Sequence, residues 1–420
     1  MTSFKILNIH WGHHLLLSRG IQTLNARPIR FLILTAVTVL TLVWLRNVTR
    51  LSSLRDQYPP VPNDQFYHWN TESVIAPFSE VHAETPCERF PASIFETVQV
   101  VLKTGMTDDP KRLLTHLDTV TKCIPNLLIV SDHDDLVKGR KIYDVLAGLS
   151  ASYQEHNPDF ETYHTQKKLK ESGNITEYNT EEGWKLDRFK FLPMIHKAFD
   201  MSPQAKWFVF IETDTYIFWD NLFRLLLHFN SSVPMYMGSP LHGNHDGEDY
   251  IYAYGGSGIV LSNAASRVLL ERKMDSDGVY IEDELYDQEK WMGMVKNSTY
   301  GETILGYALQ KKAGVKLSGF YPMFHPLSPE ALKFSEENLC TPIISMHKFW
   351  SEKVYETLWS WEMGSSDDEA NVGNLLISRY VERQTDTNIA YTLLNLVQIP
   401  LPSPKAHPKR VGQLLFRCSN

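Results

Sequence analysis

Trp207-Phe-Val-Phe-Ile-Glu-Thr-Asp-Thr-Tyr-Ile-Phe-Trp-Asp-Asn-Leu222 reads as a buried strand that delivers two carboxylates, Glu212 and Asp214, at its end. Acidic side chains are unfavourable at the edge of a core unless they are paired or hold a cation. Residues i and i+2 of a strand share a face, so Glu212 and Asp214 are expected to point at one ion while Thr213 turns away. Hard oxygen ligands of this kind suit Mn²⁺ or Mg²⁺, especially when a substrate diphosphate completes the shell. A solvated acidic turn is the competing reading of an isolated E-x-D, and the flanking sequence has to separate the two.

Upstream of the strand, Trp184 to Phe199 predicts a helix with a mixed apolar face of Leu186, Phe189, Leu192, Pro193 and Ile195. Downstream, the pattern from Trp219 to Phe229 is helical, which puts the acidic pair in the turn between strand and helix. Nearer the N-terminus, Thr97-Val-Gln-Val-Val-Leu-Lys predicts a first strand, Pro110 to Val120 a helix, and Asn126-Leu-Leu-Ile-Val a second strand ending in Ser131-Asp132. Such a β-α-β unit crosses over right-handed and pairs its strands in parallel. Ligands of parallel sheets bind outside the carboxyl ends of the strands, where Asp132 and Asp134 fall, although ordinary turn chemistry accounts for these acids equally well. Residues 150–182 are polar and predict an exposed excursion. Tyr252-Ala-Tyr-Gly-Gly-Ser-Gly-Ile-Val-Leu-Ser-Asn joins a glycine-rich turn to a strand and a helix cap at Ser262 or Asn263. Neither G-x-G-x-x-G nor a Walker sequence occurs, and no internal repeat is evident.

With 420 residues, 43% hydrophobic and 12% aromatic, the chain can bury a large core as one domain or two packed halves. A net charge of -8 without a Lys/Arg-rich stripe argues against general nucleic-acid binding. The uncharged block Phe31 to Leu45 spans roughly 22 Å as a helix and approaches a ~30 Å hydrocarbon core if Ile29 and the flanking arginines extend it. A transmembrane anchor over 29–47 is expected. The alternatives are a buried core helix and a cleaved signal peptide, the latter starting late and lacking a small-residue cleavage site. Arg19, Arg27 and Arg30 before the span and Arg46, Arg50 and Arg55 after it hardly fix the orientation. Asn47, Asn174, Asn230 and Asn297 head glycosylation sequons, and Cys87, Cys123, Cys340 and Cys418 all follow the anchor. Four cysteines allow three pairings in an oxidising compartment, and no C-x-x-C suggests a zinc knuckle. The combination points to a type II protein of the secretory pathway, with a cytoplasmic tail over 1–28 and a stem over 48–85 marked by Tyr58-Pro-Pro-Val-Pro.

The order of these pieces resembles the Fringe-like glycosyltransferases of family 31, particularly the fungal branch, and more distantly the core 1 β1,3-galactosyltransferases. The matching pieces are Ser131-Asp132, Trp184-Lys-Leu-Asp-Arg-Phe-Lys-Phe-Leu-Pro, Trp207-Phe-Val-Phe-Ile-Glu-Thr-Asp-Thr-Tyr, Tyr254-Gly-Gly-Ser-Gly, Tyr300-Gly-Glu-Thr-Ile-Leu-Gly and Ser345-Met-His-Lys. The resemblance implies an α/β GT-A fold, Rossmann-like in its nucleotide-sugar binding, over 86–365 with a C-terminal extension over 366–420. It also implies a UDP-sugar donor, Mn²⁺ or Mg²⁺, and a single-pass Golgi or ER membrane protein with a lumenal catalytic domain. Carried over by motif, Asp214 resembles the metal ligand, Glu212 a contact to metal or donor ribose with Thr213 beside it, and His347 a third metal contact, with His325 the alternative. Glu302 resembles the catalytic base, with Glu282 and Asp283 as weaker options whose ordinary reading is a solvated turn. Asp132 resembles a uracil or ribose contact, and Lys190 or Arg188 a partner for a phosphate or an acid of the site. Gly255 and Gly256 resemble the acceptor-side floor, and Trp291 is read either as a sugar-stacking residue or as core. The same resemblance favours structural disulfides, and Cys87 to Cys123 with Cys340 to Cys418 is one of the three pairings open. Both Glu212 and Glu302 stand where Asp is more usual, and one extra methylene moves a carboxylate by about 1 Å.

The expected activity is therefore metal-dependent inverting transfer of a hexose, galactose or N-acetylglucosamine in type, to a hydroxyl of a glycan or glycoprotein, with β1,3 linkage. The alternative is a catalytically silent lumenal glycan-binding or chaperone-like protein of the same fold. A metal-dependent hydrolase lacks the dense His/Asp cluster of a two-metal site. Expected partners are a nucleotide sugar, the acceptor, the membrane through one N-terminal helix and, as an open option, a second copy in a homodimer; nucleic acid is not among them.

Overall fold

The computed structural model describes Thr38, Thr41 and residues 86–90, 92–155, 157–173, 180–227, 229–329, 343–349 and 351–364. The chain divides into residues 1–60 and 61–420. In the first unit Thr38 and Thr41 are helical and exposed; the remainder of the anchor expected over 29–47 lies outside the described residues. So do the stem, Asn47, Asn174, Cys340, Cys418 and the extension over 366–420. Among the described residues no helix is long and apolar enough to cross a membrane.

In the second unit, short turns of helix at Pro86–Arg89 and Ala92–Phe95 precede β1 (Val98–Lys103), α1 (Pro110–Asp118), β2 (Leu128–Ser131), β3 (Asp135–Val137) and β4 (Arg140–Asp144). Then come α2 (Asp159–Glu171), α3 (Asp187–Met201), β5 (Trp207–Glu212), β6 (Thr215–Ile217), α4 (Trp219–Leu227) and β7 (Tyr236–Gly238). A hairpin of β8 (Pro240–His245) and β9 (Glu248–Ala253) leads to β10 (Ile259–Ser262) and α5 (Asn263–Leu270). The rest comprises α6 (Glu289–Asn297), α7 (Gly301–Lys311), β11 (Leu317–Gly319), β12 (Phe324–His325), β13 (Ser345–His347) and α8 (Glu352–Gly364).

Among the described residues the central sheet has eight strands in the order β11-β7-β10-β5-β1-β2-β4-β3. The expected β-α-β unit is present, with β1 parallel to both β2 and β5. β10 enters antiparallel on the other side of β5, so the fold is mixed α/β around a twisted multi-strand sheet. Alternation along β5 shows why its sequence is apolar throughout. Trp207, Val209 and Ile211 enter one core with residues of α1, α4 and α8, whereas Phe208 and Phe210 enter the other with α3, α5, α6 and α7. Ser262 is the cap of α5, its hydroxyl accepting from the Ala265 N–H at 3.1 Å.

The stretch over 150–182 departs from expectation. It holds α2, whose Phe160, Tyr163 and Gln166 are buried beneath a polar outer face. Their spacing of three residues is a helical stripe that composition alone conceals. Cys87 and Cys123 form a disulfide between the first helical turn and the loop after α1, which selects one of the partners that the sequence leaves open.

Candidate active site

The in-register pairing of β1 with β5 sets Lys103 opposite Glu212 at the carboxyl ends of both strands. Lys103 Nζ lies 3.0 Å from Glu212 Oε1 and 2.5 Å from Asp187 Oδ2, and sits 4.4 Å over the Phe191 ring. Burial would lower its pKa, but Asp187 and Glu212 outweigh that and raise it, so the ammonium is permanently charged. Burial raises the Glu212 carboxyl, with Asp187 and Asp214 adding to the rise and Lys103 opposing it.

Beyond Glu212 the chain turns into β6, which pairs with β13 so that His347 stands opposite Thr215. This small sheet carries His347 to Asp214, with Nε2 at 3.2 Å from Oδ1. Tyr254 Oη is 3.1 Å from the other ring nitrogen, Nδ1, fixing the ring from behind as a metal-binding imidazole requires. Burial would raise the Asp214 carboxyl, but the His347 hydrogen bond and charge hold it below the usual carboxylate range. One ligand atom each from Glu212, Asp214 and His347 can lie within 4.8 Å of one another. Two carboxylates and an imidazole form a donor set that fits Mn²⁺, and Glu212 Oε2 is left over after Lys103 takes Oε1.

Glycines make this packing feasible. A Cβ at Gly256 would fall 2.4 Å from His347 Cε1, and one at Gly255 would fall 3.3 Å from Glu212 Oε1. Both glycines therefore lie directly against the acid–imidazole cluster. Thr213 is buried, and its carbonyl accepts from Tyr355 Oη at 2.9 Å.

Glu302 occupies the first turn of α7. The Tyr-Gly-Glu-Thr-Ile-Leu-Gly motif acquires a physical reason here. A Cβ at Gly301 would fall 2.3 Å from the Arg188 carbonyl oxygen, and one at Gly306 2.3 Å from Tyr252 Cβ. The helix thus rests directly on α3 and β9, with Glu302 turned toward the charges of Glu212 and Lys103. Burial, then the Glu212 charge, raises its carboxyl to about 7, with Lys103 opposing. A carboxylate poised there is suited to proton transfer near neutrality.

The remaining expectations divide. Asp132 is buried; Oδ1 accepts from the Met106 N–H at 2.7 Å and the Ser131 hydroxyl at 2.9 Å. Its Oδ2, 3.8 Å from Lys190 Nζ, finds no hydrogen-bond partner among the described residues. Lys190 is buried and donates to the Thr104 carbonyl at 2.9 Å, so it meets an acid and is not open to a phosphate. Arg188 pairs with Asp159 on α2, away from the cluster. His325 lies outside the cluster, with Nδ1 3.3 Å from the Leu327 N–H that donates to it. Trp291 is 3% exposed and packs edge-on against Tyr307, a core residue with no face for a sugar. Asp134 and Asp283 are exposed, and Glu282 bonds Lys273, so these acids follow the turn reading. Sequence reading missed Lys103 and Asp187, and also Arg112, whose charge acts on Asp214. Asp187 stood within a quoted motif, whereas Lys103 read only as the end of a strand.

A family model described as Fringe-like matches residues 152–370, more than half of the 420-residue chain, and takes in Glu212, Asp214, Glu302 and His347. No curated protein matches the sequence.

Proposed function

The chain belongs to the Fringe-like family of glycosyltransferases, and from that premise we propose that it is a metal-dependent inverting enzyme of GT-A fold. Its reaction moves a galactose- or N-acetylglucosamine-type hexose from a UDP-sugar to a hydroxyl of a glycan or glycoprotein in β1,3 linkage. The observation that carries this reading is the juxtaposition of the Glu212–Asp214–His347 cluster with a buried Glu302 of raised pKa. Glu302 accepts the acceptor hydroxyl proton as that oxygen attacks the anomeric carbon. The bond from that carbon to the diphosphate oxygen breaks on the opposite face, inverting the centre. Asp214, His347 and Glu212 would hold a divalent cation, which would supply charge neutralisation for the departing diphosphate. Lys103 holds Glu212 in place, and Tyr254 fixes the His347 ring. Asp132 is the donor-side candidate by motif, held in place by Lys190, the Met106 N–H and the Ser131 hydroxyl.

A panel of UDP-sugars with Mn²⁺, read by UDP release, tests the reading. Release with at least one donor, abolished by chelation, is expected; UDP-sugar binding with no turnover on any acceptor would turn the reading to a silent glycan-binding protein. The pH dependence of metal binding has a definite sign. Burial lowers the His347 pKa, but the hydrogen bond and charge of Asp214 outweigh it and raise it. A cation must displace that proton, so affinity for Mn²⁺ should rise with pH, by up to about tenfold per unit, until the ring is neutral. A flat profile in calorimetry would remove His347 from the ligand set.

We further propose a type II arrangement, with 29–47 as a Golgi or ER anchor and the enzyme domain in the lumen. The Cys87–Cys123 disulfide and the exposed sequon at Asn230 support it. Protease added to sealed microsomes should leave residues 61–420 intact, and digestion would put the domain in the cytosol.

A further inference from the structure

Beside α7 the structure forms a groove of about 510 Å³ between the β8–β9 hairpin and the chain from the end of α6 into α7. That volume is in the range of small-ligand sites. Its wall includes Tyr250 and Tyr252 of β9, His242 and Asn244 of β8, and Tyr300 and Thr303 at the start of α7. Glu302 lies between the last two in sequence, so a single helical turn divides the groove from the acid cluster and touches both.

The side chains along this wall share one chemistry. Tyr250, Tyr252 and Tyr254 alternate along β9 and its continuation; the first two, 6% and 8% exposed, show a margin to the groove, and Tyr254 beyond it contacts His347. The Tyr250 ring lies across Gly243, its cross-strand neighbour, where a Cβ would fall 2.4 Å from Tyr250 Cζ. At the mouth, Tyr300 is half exposed and meets the equally exposed Trp184 edge-on, with centroids 6.0 Å apart. Aromatic faces suit the C–H faces of sugar rings, and hydroxyl and amide groups suit their hydroxyls. Apart from its histidines, the only ionisable cation of the lining is Lys290, and it has no carboxylate.

We propose that this groove is an acceptor subsite for a neutral oligosaccharide of at least two residues, whose terminal ring lies at Glu302 and whose next ring lies against Tyr300, with the margins of Tyr250 and Tyr252 beneath it. This deepens the transferase reading and rests on it. The groove then sets the acceptor length that the enzyme takes, because a monosaccharide at Glu302 leaves it empty.

Saturation-transfer NMR on the full chain tests the subsite without any donor. The probe is a mixture of neutral mono- and disaccharides of galactose, glucose, mannose and N-acetylglucosamine, run beside sialylated and sulphated analogues. A neutral disaccharide should bind, and Tyr300→Ala or His242→Ala should each weaken it about tenfold or more while melting temperature stays unchanged. Calorimetry of UDP with Mn²⁺ on the same samples keeps the two readings apart. Saccharide binding without UDP binding would keep the groove and sink the transferase. Three results would overturn the subsite: no neutral disaccharide binding, binding limited to anionic saccharides, or binding that survives both substitutions.

Discussion

Asp214→Ala is expected to abolish Mn²⁺-dependent UDP binding, lowering metal affinity by at least about 100-fold, since losing a direct ligand should exceed the 10–100-fold loss typical of an outer-shell partner. Asp214 is the carboxylate that His347 contacts at 3.2 Å, and the imidazole holds it ionised despite its burial. Glu212 cannot replace it, because it already supplies its own ligand atom to the same cluster. Removing Asp214 also leaves His347 without the charge that raises its pKa. Calorimetry of UDP with and without Mn²⁺ reads the effect directly. Unchanged metal-dependent affinity would take Asp214 out of the site and leave a solvated acidic turn as the better description of the motif.

Glu302→Gln should leave UDP and Mn²⁺ binding intact and lower turnover by about 10²–10⁴-fold, the usual contribution of a general base. The amide keeps the size of the carboxylate and the close seating of α7 at Gly301 and Gly306, so a folding defect is not expected. A pH profile adds a second signature. The folded pKa is raised to about 7 by burial and by Glu212, so the base carries its proton at acid pH, and activity rises as pH climbs through that region. A bound cation draws this limb lower by weakening the influence of Glu212, and Glu302→Gln should erase it altogether. Full turnover in the variant would sink the assignment and reopen the search for the proton acceptor.

Much of the frame was legible in sequence because local patterns fix it. The apolar run at Trp207–Ile211, the first β-α-β unit and the cap at Ser262 follow from period and turn chemistry. Glu302 stood out only through the family motif that carries it, whereas Glu212 and Asp214 could be singled out as charges at the end of a buried strand. Lys103 could not, because only the pairing of β1 with β5 brings it to Glu212. Asp187 was masked by its neighbours, and Lys190, two positions from its helical counterpart Arg188, shows how little spacing reveals about which charge turns inward. Trp291 and α2 failed in opposite ways. A lone aromatic gives no clue to its exposure, and a polar surface hid the Phe160 and Tyr163 stripe.

The contact of His347 with Gly256 also bears on descent. With less than 3 Å between the imidazole and any Cβ at 256, the two positions cannot vary independently. A lineage that gains a side chain at 256 must move the imidazole from its place beside Asp214, and one that has lost the imidazole is released to fill the gap. Gly256 therefore serves as a marker: a descendant bearing alanine or serine there no longer holds this third ligand in the same place, whatever remains of its acidic pair.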